Sequence, residues 1–146
     1  KVVAIDVGHN QIDWRLRTDP RVEVREGVNA RYLKPDDFET SFDLAVMDVS
    51  FISATKVMPA VVPLLTEKGL LITLIKPQFE VGKGQVGRGG IVRDDAQRAE
   101  AVQRIVQFAA DKGLKTMGTV ASPIKGKKGN QEILAIFEYE TTFHGM

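Results

Sequence analysis

The chain has 146 residues, 43% hydrophobic and 27% charged, which places it among ordinary soluble domains with a true core and excludes intrinsic disorder. Lysine plus arginine number 20 against 19 aspartates and glutamates, so net charge neither demands nor forbids a nucleic-acid partner, and any basic surface has to be local. Cysteine is absent, excluding a disulfide scaffold, a thiolate zinc site and a cysteine nucleophile and fitting a reducing cytoplasm. No apolar run approaches the roughly 20 residues of a membrane-spanning helix.

The first residue is Lys1, followed by the apolar run Val2-Val3-Ala4-Ile5 that stops at Asp6-Val7-Gly8, the pattern of a buried parallel strand and its turn. Neither an initiator methionine nor a secretory signal precedes it, so a segment upstream is expected. Gln11 to Arg17, with Ile12 and Leu16 one turn apart, reads as a short helix, and Val22-Glu23-Val24 as a second strand. Leu44 to Met47 forms a third strand that again ends in a carboxylate, Asp48. Ser53 can cap a helix carrying Val57, Val61, Val62 and Leu65, which Pro59 and Pro63 should kink or shorten. Gly69 supplies its exit, and Leu70 to Ile75 is an apolar strand stopped by Lys76-Pro77.

Gln78 to Arg93 shows no periodicity and holds five glycines and three basic residues, the composition of a long functional or mobile loop. Asp94 and Gln97 then open the strongest helix, with Ala99, Val102, Ile105, Val106 and Ala109 on one face and Gly113 at its end. Lys115 to Ala121 is a strand, Ser122 to Asn130 a glycine- and lysine-rich turn, and Ile133 to Tyr139 a last strand. A run of strand-helix units closing on a strand hairpin predicts an α/β fold: a doubly wound, mostly parallel sheet with its last strand inserted antiparallel. Ligands of such sheets sit at the carboxyl ends of the strands, which directs attention to Asp6, Asp48 and Lys76.

Asp6 can accept hydrogen bonds from ribose hydroxyls, although a turn aspartate before Gly8 explains it as well. Asp48, Lys76 and Glu132 place one cation and two carboxylates beside apolar strand ends; a lysine held between carboxylates stays charged and fixed in position, the same lysine in a dry, tight site can lose a proton and act as a base, and the bland alternative is an edge ion-pair network. Lys83, Arg88 and Arg93 in the loop and Lys125, Lys127 and Lys128 in the turn can meet phosphates, or can be solvated turn residues. His9 and His144 lack metal-ligand spacing, so no metal site is assigned. Trp14 and the phenylalanines read as core or edge packing rather than base-stacking platforms, with Phe51 and Phe79 the exceptions because each adjoins a site candidate.

The stretches Val3 to Gly8, Asn29 to Leu33, Asp48-Val49-Ser50-Phe51-Ile52-Ser53, Lys76-Pro77-Gln78-Phe79-Glu80-Val81-Gly82, Gly90 to Asp94, and Ser122-Pro123 with Gly129-Asn130-Gln131-Glu132 resemble the haemolysin A (TlyA) branch of FtsJ-type RNA 2′-O-methyltransferases. The match runs in order through nearly the whole chain, and the Asp-Val-Ser-Phe-Ile-Ser segment at 48–53 and the Lys-Pro-Gln-Phe-Glu segment at 76–80 are the most specific. The resemblance implies a Rossmann-like class I methyltransferase fold, S-adenosylmethionine as donor, and ribose hydroxyls of ribosomal RNA, naked or in a subunit, as acceptor. Three members of the family's Lys-Asp-Lys-Glu tetrad fall on Asp48, Lys76 and Glu132, with Lys76 central. Asp6 matches the residue that reads the cofactor ribose, and Asn29 a contact near the adenine; Asp48 also borders the cofactor.

The same resemblance implies that the central first strand, its glycine-rich loop, the first catalytic lysine and a small S4-type RNA-binding domain lie upstream of residues 1 to 146. Strands flanking the missing one would lack a hydrogen-bond partner. Two other readings compete: a non-catalytic RNA-binding or ribosome-associated module of the same fold, and a membrane-damaging haemolysin. The second is disfavoured because the sequence offers no basic amphipathic helix of the interfacial kind.

Overall fold

The computed structural model describes residues 1–81 and 87–142. Its strands form two sheets. One pairs β1 (Val2–Asp6) with β2 (Val22–Glu26) in parallel, Val2 opposite Val22 and Asp6 opposite Glu26. The other has the order β3-β4-β6-β5, built from β3 (Phe42–Met47), β4 (Leu65–Ile75), β5 (Leu114–Ala121) and β6 (Ile133–Tyr139). β3 and β4 are parallel, whereas β6 lies antiparallel between β4 and β5. The expected architecture is therefore present, with the last strand inserted where the hairpin reading put it.

Among the described residues, β1 pairs only with β2 and β3 only with β4. The apolar side chains of Val2, Leu44 and Val46 are exposed on these strands. The two sheets are nevertheless joined through packing, because Ala30, after β2, sits against the core cluster that contains Val57, Met58 and Leu71.

Helices follow their local signals. α1 is only Trp14–Arg17, shorter than the expected Gln11 to Arg17, because the Asp13 carboxylate captures the Arg15 N–H and starts the turn there. No residue of α1 is buried, and Trp14 is 73% exposed rather than packed in a core or edge. After β3, the Ser53 hydroxyl caps a 3-10 turn at Ala54–Lys56, followed by α2 (Met58–Val61) and a further 3-10 turn at Val62–Leu64. Pro59 and Pro63 stand in the first turns of these last two pieces, where a missing N–H costs least, so the expected helix is divided rather than kinked.

Gly69 does not end a helix; β4 runs through it. An ideal Cβ there would meet Thr66 O at 2.8 Å and Phe42 O at 3.2 Å, so glycine permits the close approach of β3. The register jumps from Phe42–Leu65 to Leu44–Leu70, and the extra residues are absorbed by a bulge in which Lys68 adopts φ 67°.

The long loop begins with a four-residue helix, α3 (Pro77–Glu80), with proline at its first position, which the absence of periodicity had concealed. α4 (Asp95–Asp111) is capped by Asp94, whose carboxylate accepts from Ala96 N–H. Its buried face is Ala101, Ile105 and Ala109, with Val102, Val106 and Phe108 partly buried. Ala99 belongs to the exposed side, and Ala101 takes the place expected of it. The core is completed by Leu71, Ile75, Ala135 and Phe137 on the central strands β4 and β6 and by Leu114 at the start of β5, all fully buried.

Candidate functional site

Apolar side chains end together at one rim of the sheets because the parallel strands terminate in polar residues. Asp6 closes β1, Asp48 follows Met47 at the end of β3, and Lys76 follows Ile75 at the end of β4. Ile75 pairs with Ile133, so the ladder also brings Glu132, the residue before β6, to the same rim beside Lys76.

Lys76 Nζ lies 2.5 Å from Asp48 Oδ1 and donates to the Ser50 hydroxyl at 2.9 Å. The lysine side chain is 12% exposed while that of Asp48 is 61% exposed, so the ammonium head sits in the protein and its counter-ion faces solvent. An ion pair half open to water contributes little to stability. What it provides is a fixed direction for the lysine head. Ser50 had not been singled out: its role depends on the turn after β3 folding back onto Lys76, which no local spacing reveals.

Glu132 is 6% exposed and makes no ion pair with Lys76 among the described residues, contrary to the expectation of a lysine held between two carboxylates. Its Oε2 accepts instead from Gln78 Nε2 at 2.9 Å. Gln78 projects from α3 immediately after Lys76 and satisfies the buried carboxylate, while its own Oε1 is buried without a partner. Gly126 backs the carboxylate so closely that a Cβ there would stand 2.1 Å from Glu132 Oε2. Glu132 is thus adjacent in the ladder to Lys76 and rigidly seated, with Gln78 as an intermediary missed from sequence.

Asp6 uses Oδ1 to accept from Gly8 N–H at 2.8 Å, the turn role weighed above. Among the described residues this is the one hydrogen bond of its carboxylate, which leaves Oδ2 available at the end of β1. Asn29 is exposed and caps the turn Ala30–Tyr32 by accepting from Arg31 N–H, so its carbonyl oxygen is committed while its NH2 faces outward. Phe51, at φ 64° and 79% exposed, packs its ring at 5.1 Å from Phe79, forming an aromatic pair directly beside Asp48 and Lys76.

Lys83 lies outside the described residues, as do the side chains of Arg88 and Lys127. Lys125 and Lys128 are exposed on the turn before β6. That turn is bound to the segment around Gly90: buried Asn130 accepts from Val92 N–H and donates to Gly90 O, and Lys128 Nζ lies 3.6 Å from an ideal Gly90 Cβ. Two of the predicted basic segments are therefore brought side by side. No group of three or more metal-ligating side chains occurs among the described residues.

The TlyA 16S/23S rRNA (cytidine-2′-O)-methyltransferase of Mycobacterium tuberculosis is 48% identical over 131 residues, 90% of this chain and 49% of that protein. Hemolysin A of Brachyspira hyodysenteriae is 44% identical over 138 residues, 94% of this chain and 58% of the relative. A solved Streptococcus thermophilus structure, provisionally named a hemolysin, superposes with a TM-score of 0.93 at 41% identity, covering 98% of this chain and 52% of that one. The chain spans about half the length of these relatives. The FtsJ-like methyltransferase family matches residues 1–139, and with strand order, rim residues and relatives in agreement the chain belongs to that family.

Proposed function

We propose that this chain forms most of the catalytic domain of an enzyme that methylates ribose 2′-hydroxyls of ribosomal RNA, with S-adenosylmethionine as donor. The observation that carries the reading is the Lys76 ammonium, held by Asp48 and Ser50 at the carboxyl rim and adjacent through the ladder to buried Glu132. The reading is supported by Asp48, Lys76 and Glu132, the residues onto which the family's tetrad maps, lying at the ends of neighbouring strands.

The residues present suit the cofactor. Asp6 has a carboxylate oxygen available at the end of β1, suited to ribose hydroxyls, and Asn29 an outward NH2 beyond β2, suited to a purine edge. Asp48, at the end of β3, borders the cofactor as well. When bound, S-adenosylmethionine supplies a sulfonium-activated methyl group. This chain's contribution is alignment and charge. Lys76 meets the negative charge that develops on the 2′-oxygen as its proton passes to solvent water, Asp48 and Ser50 hold Lys76 in line, and Glu132 fixes the geometry from the far side through Gln78. Phe51 and Phe79 offer an apolar face beside the reacting centre. Lys125 and Lys128, with Lys83, Arg88 and Lys127, supply the local positive charge for phosphates that the overall balance does not.

The domain assignment belongs to the same proposal. β1 and β3 each have one edge without a partner among the described residues, and apolar Val2, Leu44 and Val46 on these strands are exposed. A parallel strand from the upstream part of the protein, carrying the glycine-rich loop and the first lysine, suits those edges. Action on ribosomal RNA places the enzyme in the cytoplasm, and no described helix is long and apolar enough to cross a membrane.

The test is methyl transfer from labelled S-adenosylmethionine by the full-length protein to ribosomal RNA and to ribosomal subunits, with the label located by nuclease digestion. Label on a ribose 2′-oxygen is expected. A folded protein that binds cofactor and labels no RNA or subunit points instead to a non-catalytic binding module.

A further inference from the structure

Glu80 is an acidic residue near the rim that the family comparison leaves without a task. It is the last residue of α3, at the far end of the short segment that begins with Lys76. Its carboxylate is directed at the turn after β3: Oε1 accepts from the Ser53 hydroxyl at 2.5 Å and Oε2 from Ala54 N–H at 2.9 Å. Ala54 is 1% exposed, so the second of these bonds is made in the core. The backbone carbonyl of Glu80 in turn accepts from Arg104 Nη2 of α4 at 2.7 Å.

Residues 76–80 and 48–54 therefore touch at three successive levels beyond the ends of β4 and β3. Lys76 grips Asp48 and Ser50, Phe79 packs at a tilt against Phe51, and Glu80 grips Ser53 and Ala54. The first level carries the reactive lysine, but its acidic partner is largely exposed and a pair of that kind is weakly held on its own. The second level includes an exposed Phe51 in the left-handed region, a conformation a phenylalanine does not adopt unaided. Only the third is anchored in the core.

We infer that Glu80 is a positioning residue, whose two-pronged bridge to Ser53 and Ala54 sets the separation of the two loops and so holds Asp48 and Ser50 in reach of Lys76. This inference rests on the reading of Lys76 as the reacting lysine for its consequence in catalysis, but not for its consequence in structure. Burial raises the carboxyl of Glu80 above the ordinary glutamate range, against the lowering by its bonds to Ser53 and Ala54. A partly buried acid is thus kept where an apolar side chain would have been easier to bury, which agrees with a demand for two acceptors aimed in one direction.

The experiment compares full-length Glu80→Ala and Glu80→Gln with the unmodified protein in two readouts. The first is amine acylation of each lysine at limiting reagent, followed by mass spectrometry; Lys76, 12% exposed, is slow when held. Glu80→Ala is expected to raise the Lys76 rate at least fivefold while other lysines keep theirs. Glu80→Gln, which can still accept from Ala54 and bond to Ser53, restores most of the protection. The second readout is methyl transfer, in which Glu80→Ala is expected to lower kcat at least tenfold with KM for RNA within about twofold, since a displacement of about 1 Å at a reacting centre costs up to about a hundredfold.

An unchanged Lys76 rate in folded Glu80→Ala overturns the inference, as does a uniform rise at every lysine, which marks general loosening. If Glu80→Ala does not fold, Ser53→Ala takes its place, and the same unchanged Lys76 rate in that variant overturns the inference. Absence of transfer by the unmodified protein counts against the enzymatic reading alone, because Lys76 protection is read independently of it.

Discussion

Gly126→Ala isolates the seat of Glu132. The new Cβ would lie 2.1 Å from Glu132 Oε2, 2.6 Å from its Cδ and 3.2 Å from its Cγ, where an ordinary contact begins at 3.4 Å. The carboxylate must withdraw by more than 1 Å, and because it is 6% exposed it has little free space to enter. Withdrawal breaks the 2.9 Å bond from Gln78 Nε2, in an amide whose Oε1 is already without a partner. Leaving such a buried donor unsatisfied costs about 1–3 kcal/mol. Gly118→Ala is the control, since nothing lies within 4 Å of an ideal Cβ there and the change should stay within about 0.5 kcal/mol. Urea unfolding of both variants against the unmodified protein reads the difference. In the full-length protein, Gly126→Ala should also lower the proposed methyl transfer at least tenfold, Gly118→Ala not at all. Equal midpoints for the two variants would refute the claim that Glu132 is tightly seated.

Glu80 makes stability depend on pH in a definite direction. Its folded-state affinity for a proton is raised by burial, so its stabilising contribution is full below the unfolded value of 4.5 and is lost as pH rises through the folded one. The stability of the unmodified protein relative to Glu80→Gln should therefore fall as pH increases upward from about 4.5 and then level off, which denaturant unfolding across a pH series checks; a relative gain with rising pH contradicts it. Phe137 is fully buried on the inserted strand between Leu71 and Thr116, and Phe137→Ala should cost about 3–5 kcal/mol in unfolding free energy. Asn130→Ala removes the bridge between Val92 N–H and Gly90 O, and should cost about 1–3 kcal/mol and speed hydrogen exchange at the Val92 amide.

The strands were legible because their apolar runs end abruptly in Asp6, Asp48 and Lys76. α4 was legible from its periodicity, yet its phase was misread at Ala99: an alanine is small enough to suit either face, and only packing against the sheet selects Ala101. Gly69 was read as a stop because glycine usually breaks an element, whereas here it admits a neighbouring backbone 27 residues distant, Phe42 O. α3 was hidden because four residues starting with proline carry no period.

The charged members of the site were named from their places at strand ends, but their partners were not. Ser50, Gln78 and the bridge from Glu80 to Ser53 depend on contacts between residues 26 to 54 positions apart. Glu132 could be placed at the rim but not assigned its neighbour, since the choice between Lys76 and Gln78 is made by how α3 turns after the strand.

The central claim is that Lys76 serves the transfer step and not the fold or the cofactor. Methyl transfer to ribosomal RNA by full-length Lys76→Ala, measured beside S-adenosylmethionine affinity by calorimetry, tests it most directly. The expected result is transfer reduced at least about a thousandfold, as for loss of a charge-stabilising group at a reacting centre, with cofactor Kd changed by no more than a few-fold. Transfer that survives the substitution, or that disappears together with cofactor binding, would contradict the account and return Lys76 to a structural ion pair with Asp48.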